Sequence, residues 1–276
     1  MSGYGQTGPY RDRPGFGGVA EAVGGLQALT GHSGQPPTRV GISLADSVAG
    51  LYAVIGALMG LLQRDRVAGE VVDVALYESM YSLMESLVPD YDAFGVVREP
   101  AGSGLAGVAP SSTYRCGDGR YIVVSGNGDA IFGRLMRAIG RPDLADDPRL
   151  ADNAGRVRNA RELDNAISAW VAERTQDAAE AALVEAGVPN GPILTAGEIV
   201  KDPHYAARGM HERRTVEIGD GHSEDVIFPG VVPKLGRNPG RVTWLGPELG
   251  EHTDAVLAEL GIDAPRRAEL REQGVI

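Results

Sequence analysis

One long apolar segment determines how the first part of the chain packs: Asp46-Ser-Val-Ala-Gly-Leu-Tyr-Ala-Val-Ile-Gly-Ala-Leu-Met-Gly-Leu-Leu62. It is apolar on nearly every side, which predicts a helix buried against other helices or against a sheet. The uncharged run Ser47–Gln63 falls slightly short of the roughly 20 residues that span a bilayer, and it carries Gly50, Gly56 and Gly60. We therefore interpret it as a core helix rather than a membrane-spanning one.

Helical and β-type patterns alternate along the rest of the chain. A helix is predicted over Gly17–Thr30, and a strand over Glu70–Ala75 leads into a helix over Leu76–Leu87. A short Gly-Asp-Gly turn joins Ser112–Cys116 to Arg120–Val124, which predicts a β-hairpin. Further helices are predicted over Asp129–Ile139, Glu162–Glu173, Gln176–Glu185, Ala196–Lys201 and Gly250–Leu260, and further strands over Gly191–Leu194, Arg214–Ile218 and Glu224–Phe228. This mixture predicts an α/β or α+β protein with a smaller domain in the middle of the chain.

Composition and charge exclude several classes of protein. The 276 residues are 43% hydrophobic and 23% charged, as in a soluble globular protein. A formal net charge of −11 argues against a nucleic-acid partner, because such a field repels phosphate backbones. The single cysteine, Cys116, excludes an intrachain disulfide, and the five histidines lack metal-site spacing. The beginning of the chain has no signal-peptide pattern, which predicts a cytoplasmic protein without a membrane partner.

Two glycine motifs have the G-x-G-x-x-G spacing of a dinucleotide-binding turn. They are Gly3–Gly8 and Gly102–Gly107. Neither follows a predicted strand, and the first is followed at once by Pro9, so the structural context of that motif is missing. We do not interpret either as a nucleotide site.

Asp46 is the carboxylate of greatest interest because it lies where a loop enters the long apolar helix. The simpler interpretation is a helix N-cap that accepts backbone N–H groups. The functional alternative is a nucleophile or base beside apolar surface, since a carboxylate can attack a thioester to give a mixed anhydride.

The glycine-rich segment Ser125-Gly126-Asn127-Gly128-Asp129 follows a predicted strand. It is most simply a turn in which Asp129 caps the next helix. The alternative is a loop that exposes main-chain amides and closes over a reactive centre.

Several segments, taken in order, resemble consecutive motifs of the family III CoA-transferases. They are Ser2-Gly-Tyr-Gly-Gln-Thr-Gly-Pro-Tyr10, Arg13-Pro-Gly-Phe16, Ala45-Asp46-Ser-Val-Ala-Gly50, Val71-Val-Asp-Val-Ala-Leu-Tyr-Glu78, Thr113-Tyr-Arg-Cys-Gly-Asp-Gly-Arg-Tyr121, Asp202-Pro-His-Tyr-Ala-Ala-Arg-Gly-Met210 and Leu249-Gly-Glu-His-Thr-Asp254. The resemblance implies an enzyme that moves CoA between an acyl-CoA and a carboxylic acid. It implies no permanently bound cofactor, with the CoA thioester as a substrate.

The same resemblance assigns the candidate site. The position of Asp46 matches the nucleophile of the transferases, which carries the acyl group as an anhydride and then CoA as a thioester. Gly126, Asn127 and Gly128 match the loop that shields these intermediates, and Phe16 would contact substrate or CoA. No metal ligand is implied.

Alpha-methylacyl-CoA racemase, another member of the family, provides the first alternative function. Its motif places a histidine where this chain has Phe16 and a glutamate near Gly128. Proton exchange at an alpha carbon needs groups on both faces, so the transferase interpretation is favoured.

The family fold implied by the resemblance is a Rossmann-like large domain with a smaller α+β domain, in an interlocked dimer. Family members carry an additional Rossmann-like segment before the first motif, and Met1 here begins at that motif. The expected organisation is large-domain core over 1–95, linker over 96–112, small domain over 113–230 and a returning segment over 231–276. A homodimer or hetero-oligomer is therefore expected, and a partner-dependent, non-catalytic subunit is the second alternative.

Overall fold

The computed structural model describes residues 1–66, 68–219 and 221–276. It divides into two compact units, Met1–Ile193 and Leu194–Ile276. The first unit contains helices α1 (Gly17–Val23), α2 (Leu26–Leu29), α3 (Leu44–Gln63), α4 (Leu76–Tyr81), α5 (Leu87–Phe94), α6 (Asp129–Ala138), α7 (Pro142–Ala145), α8 (Asn153–Arg158), α9 (Ala160–Ala172) and α10 (Gln176–Glu185), a 3₁₀ turn (Pro148–Leu150), and strands β1 (Ser111–Arg115), β2 (Tyr121–Ser125) and β3 (Asn190–Pro192). The second contains α11 (Ala196–Ile199), α12 (Pro203–Ala207), α13 (Thr253–Glu259), α14 (Ala264–Glu272), β4 (His211–Glu217) and β5 (Ser223–Pro229).

The first part of unit one is a small helical core formed by α1, α3 and α4. Its buried side chains are mostly small, which lets the helices approach closely; they are Ala20, Ala45, Ala49, Val74, Leu76 and Met80. The start of the chain joins this core through a parallel bridge between Ser2 and Ala75. The Ser2 N–H donates to Val74 O at 3.1 Å, and Leu76 N–H donates to Ser2 O at 2.9 Å.

The long apolar helix α3 is not buried as the sequence predicted. Only Ala45 and Ala49 of its residues are buried, and large side chains along the rest of it are exposed, up to 84% for Leu62. By length and composition α3 also passes as a candidate membrane span. The predicted helix is confirmed, but the described part of the chain leaves most of its large apolar side chains exposed.

The second core of unit one packs helices against a three-stranded antiparallel sheet of order β1-β2-β3. Residues Ser111–Arg115 pair with Tyr121–Ser125 in register, as the hairpin pattern predicted. The buried side chains alternate along β2, with Ile122 and Val124 facing the core. They join buried residues of α6, α9 and α10, including Phe132, Leu135, Met136, Leu163, Ile167 and Leu183.

The second unit contains an antiparallel hairpin and two C-terminal helices. Strands β4 and β5 pair from His211↔Pro229 to Glu217↔Ser223, which confirms the second predicted hairpin. The predicted helix at Gly250–Leu260 corresponds to α13. Ion pairs join Asp254 on α13 to Arg267 and Arg271 on α14.

Several predicted elements were wrong for identifiable reasons. The predicted helix Gly17–Thr30 is interrupted because Gly25 adopts a φ of +99°. The predicted strand Glu70–Ala75 forms only the bridge at Ala75 within the described chain, because residues 70–73 have no strand beside them. Helix α5 was missed because Pro89 reads as a breaker, yet proline is tolerated in a first helical turn.

The predicted domain boundaries remain a prediction. The division between the two compact units falls at Ile193, inside the segment 113–230 that was assigned to one small domain.

Candidate functional site

Asp46 lies in the first turn of α3, three residues after its N-cap, Ser43. The interpretation of Asp46 as an N-cap was therefore wrong, because the helix begins at Leu44 rather than after Asp46. The carboxylate is exposed and makes no hydrogen bond or ion pair with any described residue. The described part of the chain therefore does not neutralise the charge of this carboxylate.

The Asp46 carboxylate packs on the backbone of α1 at Gly17. A Cβ atom built on Gly17 would collide with Asp46 Oδ2, so a side chain at position 17 would displace the carboxylate. The contact is local in space but spans 29 residues of sequence, and the shared core of α1 and α3 holds it in place.

Asp46 and Phe16 line one cavity of about 460 Å³. Phe16 is the N-cap of α1 and is 81% exposed. The remaining lining comes from Gly17, Gly18, Val19, Arg39 and Ser43. The structure therefore brings together two of the residues that the sequence singled out, beside a cation that the sequence did not.

That cation, Arg39, is held from behind by a buried carboxylate. Arg39 Nε donates to Glu21 Oε2 at 3.2 Å, and the Glu21 side chain is fully buried. Glu21 Oε1 has no partner in the described chain. The guanidinium lies against Gly18, where a Cβ would be 2.8 Å from Arg39 Cζ. An anionic group and a cationic group therefore pack on two adjacent glycines of α1.

The glycine-rich loop does not line this cavity. Gly126 is buried, its N–H donates to Pro110 O at 2.8 Å, and a Cβ there would collide with Leu135. Asn127 is exposed, and Gly128 is the N-cap of α6. The predicted roles of Gly126, Asn127 and Gly128 in substrate binding remain predictions.

Asp129 is not the cap of α6, as the simpler interpretation had it, because Gly128 occupies that position. The Asp129 carboxylate instead accepts a hydrogen bond from Arg156 Nη2 at 2.7 Å.

Arg156 holds the glycine-rich loop in its conformation through hydrogen bonds from a buried guanidinium. Its side chain is 1% exposed, and its guanidinium donates to Asn127 O at 2.7 Å and to Ala109 O at 3.2 Å. The cation also lies 5.0 Å from the centroid of the Phe132 ring. These contacts tie the loop to the chain that enters β1, and the sequence contained no pattern that would have indicated them.

Titration shifts in the first unit occur away from the cavity. Burial and the hydrogen bond to Asp164 raise the pKa of the Tyr114 hydroxyl, and burial raises the pKa of the Cys116 thiol. The backbone N–H of Gln176 lowers the pKa of Asp118. The described residues contain no group of three or more side chains arranged to hold a metal ion.

Comparison with known proteins identifies the family. The model of CoA-transferase family III matches residues 1–253. The chain belongs to CoA-transferase family III. This confirms the family that the sequence motifs resembled, the α/β fold of that family, and an enzyme class that transfers CoA.

Two relatives from Chloroflexus aurantiacus are similar over the whole chain. Succinyl-CoA–D-citramalate CoA-transferase is 44% identical over 278 residues, which are 100% of this chain and 68% of that protein. The succinyl-CoA–L-malate CoA-transferase beta subunit is 38% identical, with the same coverage of both chains. Among solved structures, a CAIB/BAIF family protein from Brucella suis is 31% identical with a TM-score of 0.74, covering 94% of this chain and 66% of its own. The chain thus spans about two thirds of the length of these family members.

Proposed function

We propose that this family III chain transfers CoA from succinyl-CoA to a second dicarboxylic acid through covalent intermediates on Asp46. The observation that carries the proposal is the Asp46 carboxylate, which lines a cavity, packs on Gly17 and has no partner in the described chain. A carboxylate without a structural partner is available as a nucleophile. The substrate class follows the printed names of the two similar relatives, which pair succinyl-CoA with citramalate or malate.

The first half of the proposed reaction loads CoA onto the protein. An Asp46 oxygen attacks the thioester carbonyl, the carbon–sulfur bond breaks and CoA thiolate leaves, which gives a mixed anhydride. The thiolate then attacks the aspartyl carbonyl, which releases succinate and leaves CoA on Asp46 as a thioester. The second half runs in the opposite sense with the acceptor carboxylate. Every step transfers an acyl group, so the cycle needs neither a redox cofactor nor a net proton.

The cavity and the glycine-rich loop would serve these steps by positioning and by excluding water. Phe16 would cover the cavity mouth with apolar surface, because its ring is exposed beside Asp46. Gly126, Asn127 and Gly128 would close over the anhydride, which water otherwise hydrolyses.

We further propose that the chain works in an oligomer. The support is the exposed apolar face of α3, which is larger than isolated surface side chains explain. One similar relative is named as a beta subunit, which supports assembly as a homodimer or a hetero-oligomer. The proposal includes a cytoplasmic location for the enzyme.

Turnover tests the proposed function. Purified chain is incubated with succinyl-CoA and either D-citramalate or L-malate, and CoA esters are separated by mass. The acceptor ester is expected with wild type and with the control Asp65→Asn, an exposed carboxylate just after α3. Asp46→Asn is expected to form none while keeping the wild-type melting temperature. Wild-type protein that forms no acceptor ester would contradict the proposal.

A further inference from the structure

We propose that Arg39 binds the distal carboxylate of the dicarboxylic acyl group whose thioester carbon Asp46 attacks. The inference rests on the proposed function and adds to it the residue that selects a diacid. It begins from a cation and an anion that line one cavity without forming an ion pair with each other.

Arg39 is prepared for an anionic ligand. Its Nε is used by the buried carboxylate of Glu21, but its terminal nitrogens make no hydrogen bond to the described part of the chain. A guanidinium held at Nε presents its remaining N–H groups as a planar fork that matches a carboxylate. Because the Glu21 side chain is fully buried, its hydrogen bond orients Arg39 Nε towards the protein interior. The terminal nitrogens of Arg39 are then available to a ligand in the cavity.

The Glu21 position follows from the geometry of α1. Glu21 lies four residues after Gly17 and three residues after Gly18, so it neighbours both glycines on the surface of the helix. This part of the helix therefore seats the Asp46 carboxylate at Gly17, the Arg39 guanidinium at Gly18, and the buried carboxylate that holds the guanidinium.

The separation of the two groups suits a short diacid. Cα atoms of neighbouring residues are about 3.8 Å apart, and the two groups pack directly on Gly17 and Gly18. They consequently lie within about 12 Å of each other by chain geometry. An extended four-carbon diacid has carboxyl carbons about 4 Å apart. It fits this distance with an attack distance of about 3 Å at Asp46 and a charge-assisted contact at Arg39.

A CoA phosphate is the other anion that could occupy the Arg39 fork. The two sources differ in one respect that can be measured. A distal carboxylate is present in succinyl-CoA and missing in butyryl-CoA, whereas the phosphates are the same in both.

The test is the second-order rate constant for loading CoA onto the protein in the absence of an acceptor acid, measured with each of these two donors. Arg39→Gln is expected to lower the constant for succinyl-CoA about 100-fold, the effect of losing a charge-assisted contact. The constant for butyryl-CoA is expected to change less than about threefold. Arg39→Lys, which keeps the charge but loses the fork, is expected to fall between.

Two further variants keep the result interpretable. Removal of Arg39 alone leaves the Glu21 carboxylate buried without its partner. The double variant Glu21→Gln/Arg39→Gln is therefore measured in parallel, and it is expected to show the same change in donor selectivity. Arg137→Gln is the matched control, because Arg137 is also an ion-paired arginine with a side-chain exposure of 57%, against 55% for Arg39.

The possible outcomes separate the inference from the function on which it rests. Equal losses with both donors would assign Arg39 to the CoA phosphates or to stability alone and would overturn the inference. An unchanged rate with succinyl-CoA would overturn it as well, and in both cases the proposed function would stand. Wild-type protein that is loaded by neither donor would overturn the proposed function and the inference together.

Discussion

The carboxylate of Asp46 occupies the space where a side chain on Gly17 would lie. A Cβ atom at position 17 would collide with Asp46 Oδ2, so the candidate nucleophile is seated on a bare stretch of helix backbone. This relationship brings the residue that follows the segment Arg13–Phe16 against the segment Ala45–Gly50, although the two motifs are separate in the sequence. A side chain at position 17 would therefore displace the candidate nucleophile from its observed position.

Replacement of Gly17 by alanine is therefore expected to impair the site without unfolding the chain. The added methyl group displaces the carboxylate, and a shift of about 1 Å can lower a rate about 100-fold. We expect a loss of that order in the rate of loading by succinyl-CoA. The control is Gly197→Ala in α11, where a Cβ has nothing within 4 Å. Equal rates for Gly17→Ala and wild type would contradict the seat described for Asp46.

Arg156 is expected to contribute more to stability than any exposed arginine. Arg156→Met removes hydrogen bonds to the carbonyl groups of Asn127 and Ala109 beneath the glycine-rich loop, which we expect to cost about 3 kcal/mol of unfolding free energy. Arg158→Met, at an exposed position on the same helix, is the matched control and is expected to stay within about 0.5 kcal/mol of wild type. Urea denaturation measures both. Similar midpoints for the two variants would show that the buried guanidinium is dispensable.

The sequence predicted the local parts of this fold well, and the hairpin β1–β2 shows why. Alternation of apolar residues and a Gly-Asp-Gly turn specify that element within 15 residues, so its register needs no distant information. The same holds for α10, whose predicted bounds, Gln176–Glu185, are those observed. The strand predicted at Glu70–Ala75 failed because a strand needs a neighbour, and periodicity does not supply one.

The candidate site was predicted only in part for a similar reason. Asp46 and Phe16 were both identified from sequence segments that resemble motifs of the family. Arg39 lies in a segment without periodicity, and its partner Glu21 is an acidic residue that a sequence pattern places on a solvated surface. Their pairing depends on the packing of α1 against α3, which no local signal encodes. The burial of α3 was overestimated because its apolar pattern does not show what covers it.

Protonation of Asp118 should destabilise the second core of the first unit at low pH. The backbone N–H of Gln176 holds the pKa of Asp118 below its ordinary value of 3.8. A carboxylate whose pKa is lowered by folding stabilises the protein above its unfolded pKa, and this contribution is lost as the pH falls through the folded pKa. The melting temperature of Asp118→Asn is thus expected to be lower than that of wild type at pH 7. The difference should disappear as the pH falls below 3.8. A difference that persists unchanged in acid would contradict this origin.

The exposed face of α3 is expected to drive association of the chain. Leu58→Lys places a charge at the middle of this face, where the native side chain is 54% exposed, and should shift sedimentation towards the monomer. Val184→Lys, at a similarly exposed apolar position on α10, provides the comparison. Wild-type chain that sediments as a monomer at all concentrations would leave α3 without a self-associating role.

Intact-mass spectrometry after brief exposure to succinyl-CoA would detect covalent loading of Asp46, on which the proposed function depends. We expect a mass increase equal to one CoA less one water. The adduct should be sensitive to hydroxylamine, map to Asp46 in a peptide digest and be missing in Asp46→Asn. An adduct that maps to another residue, or transfer of CoA by Asp46→Asn at the wild-type rate, would contradict it.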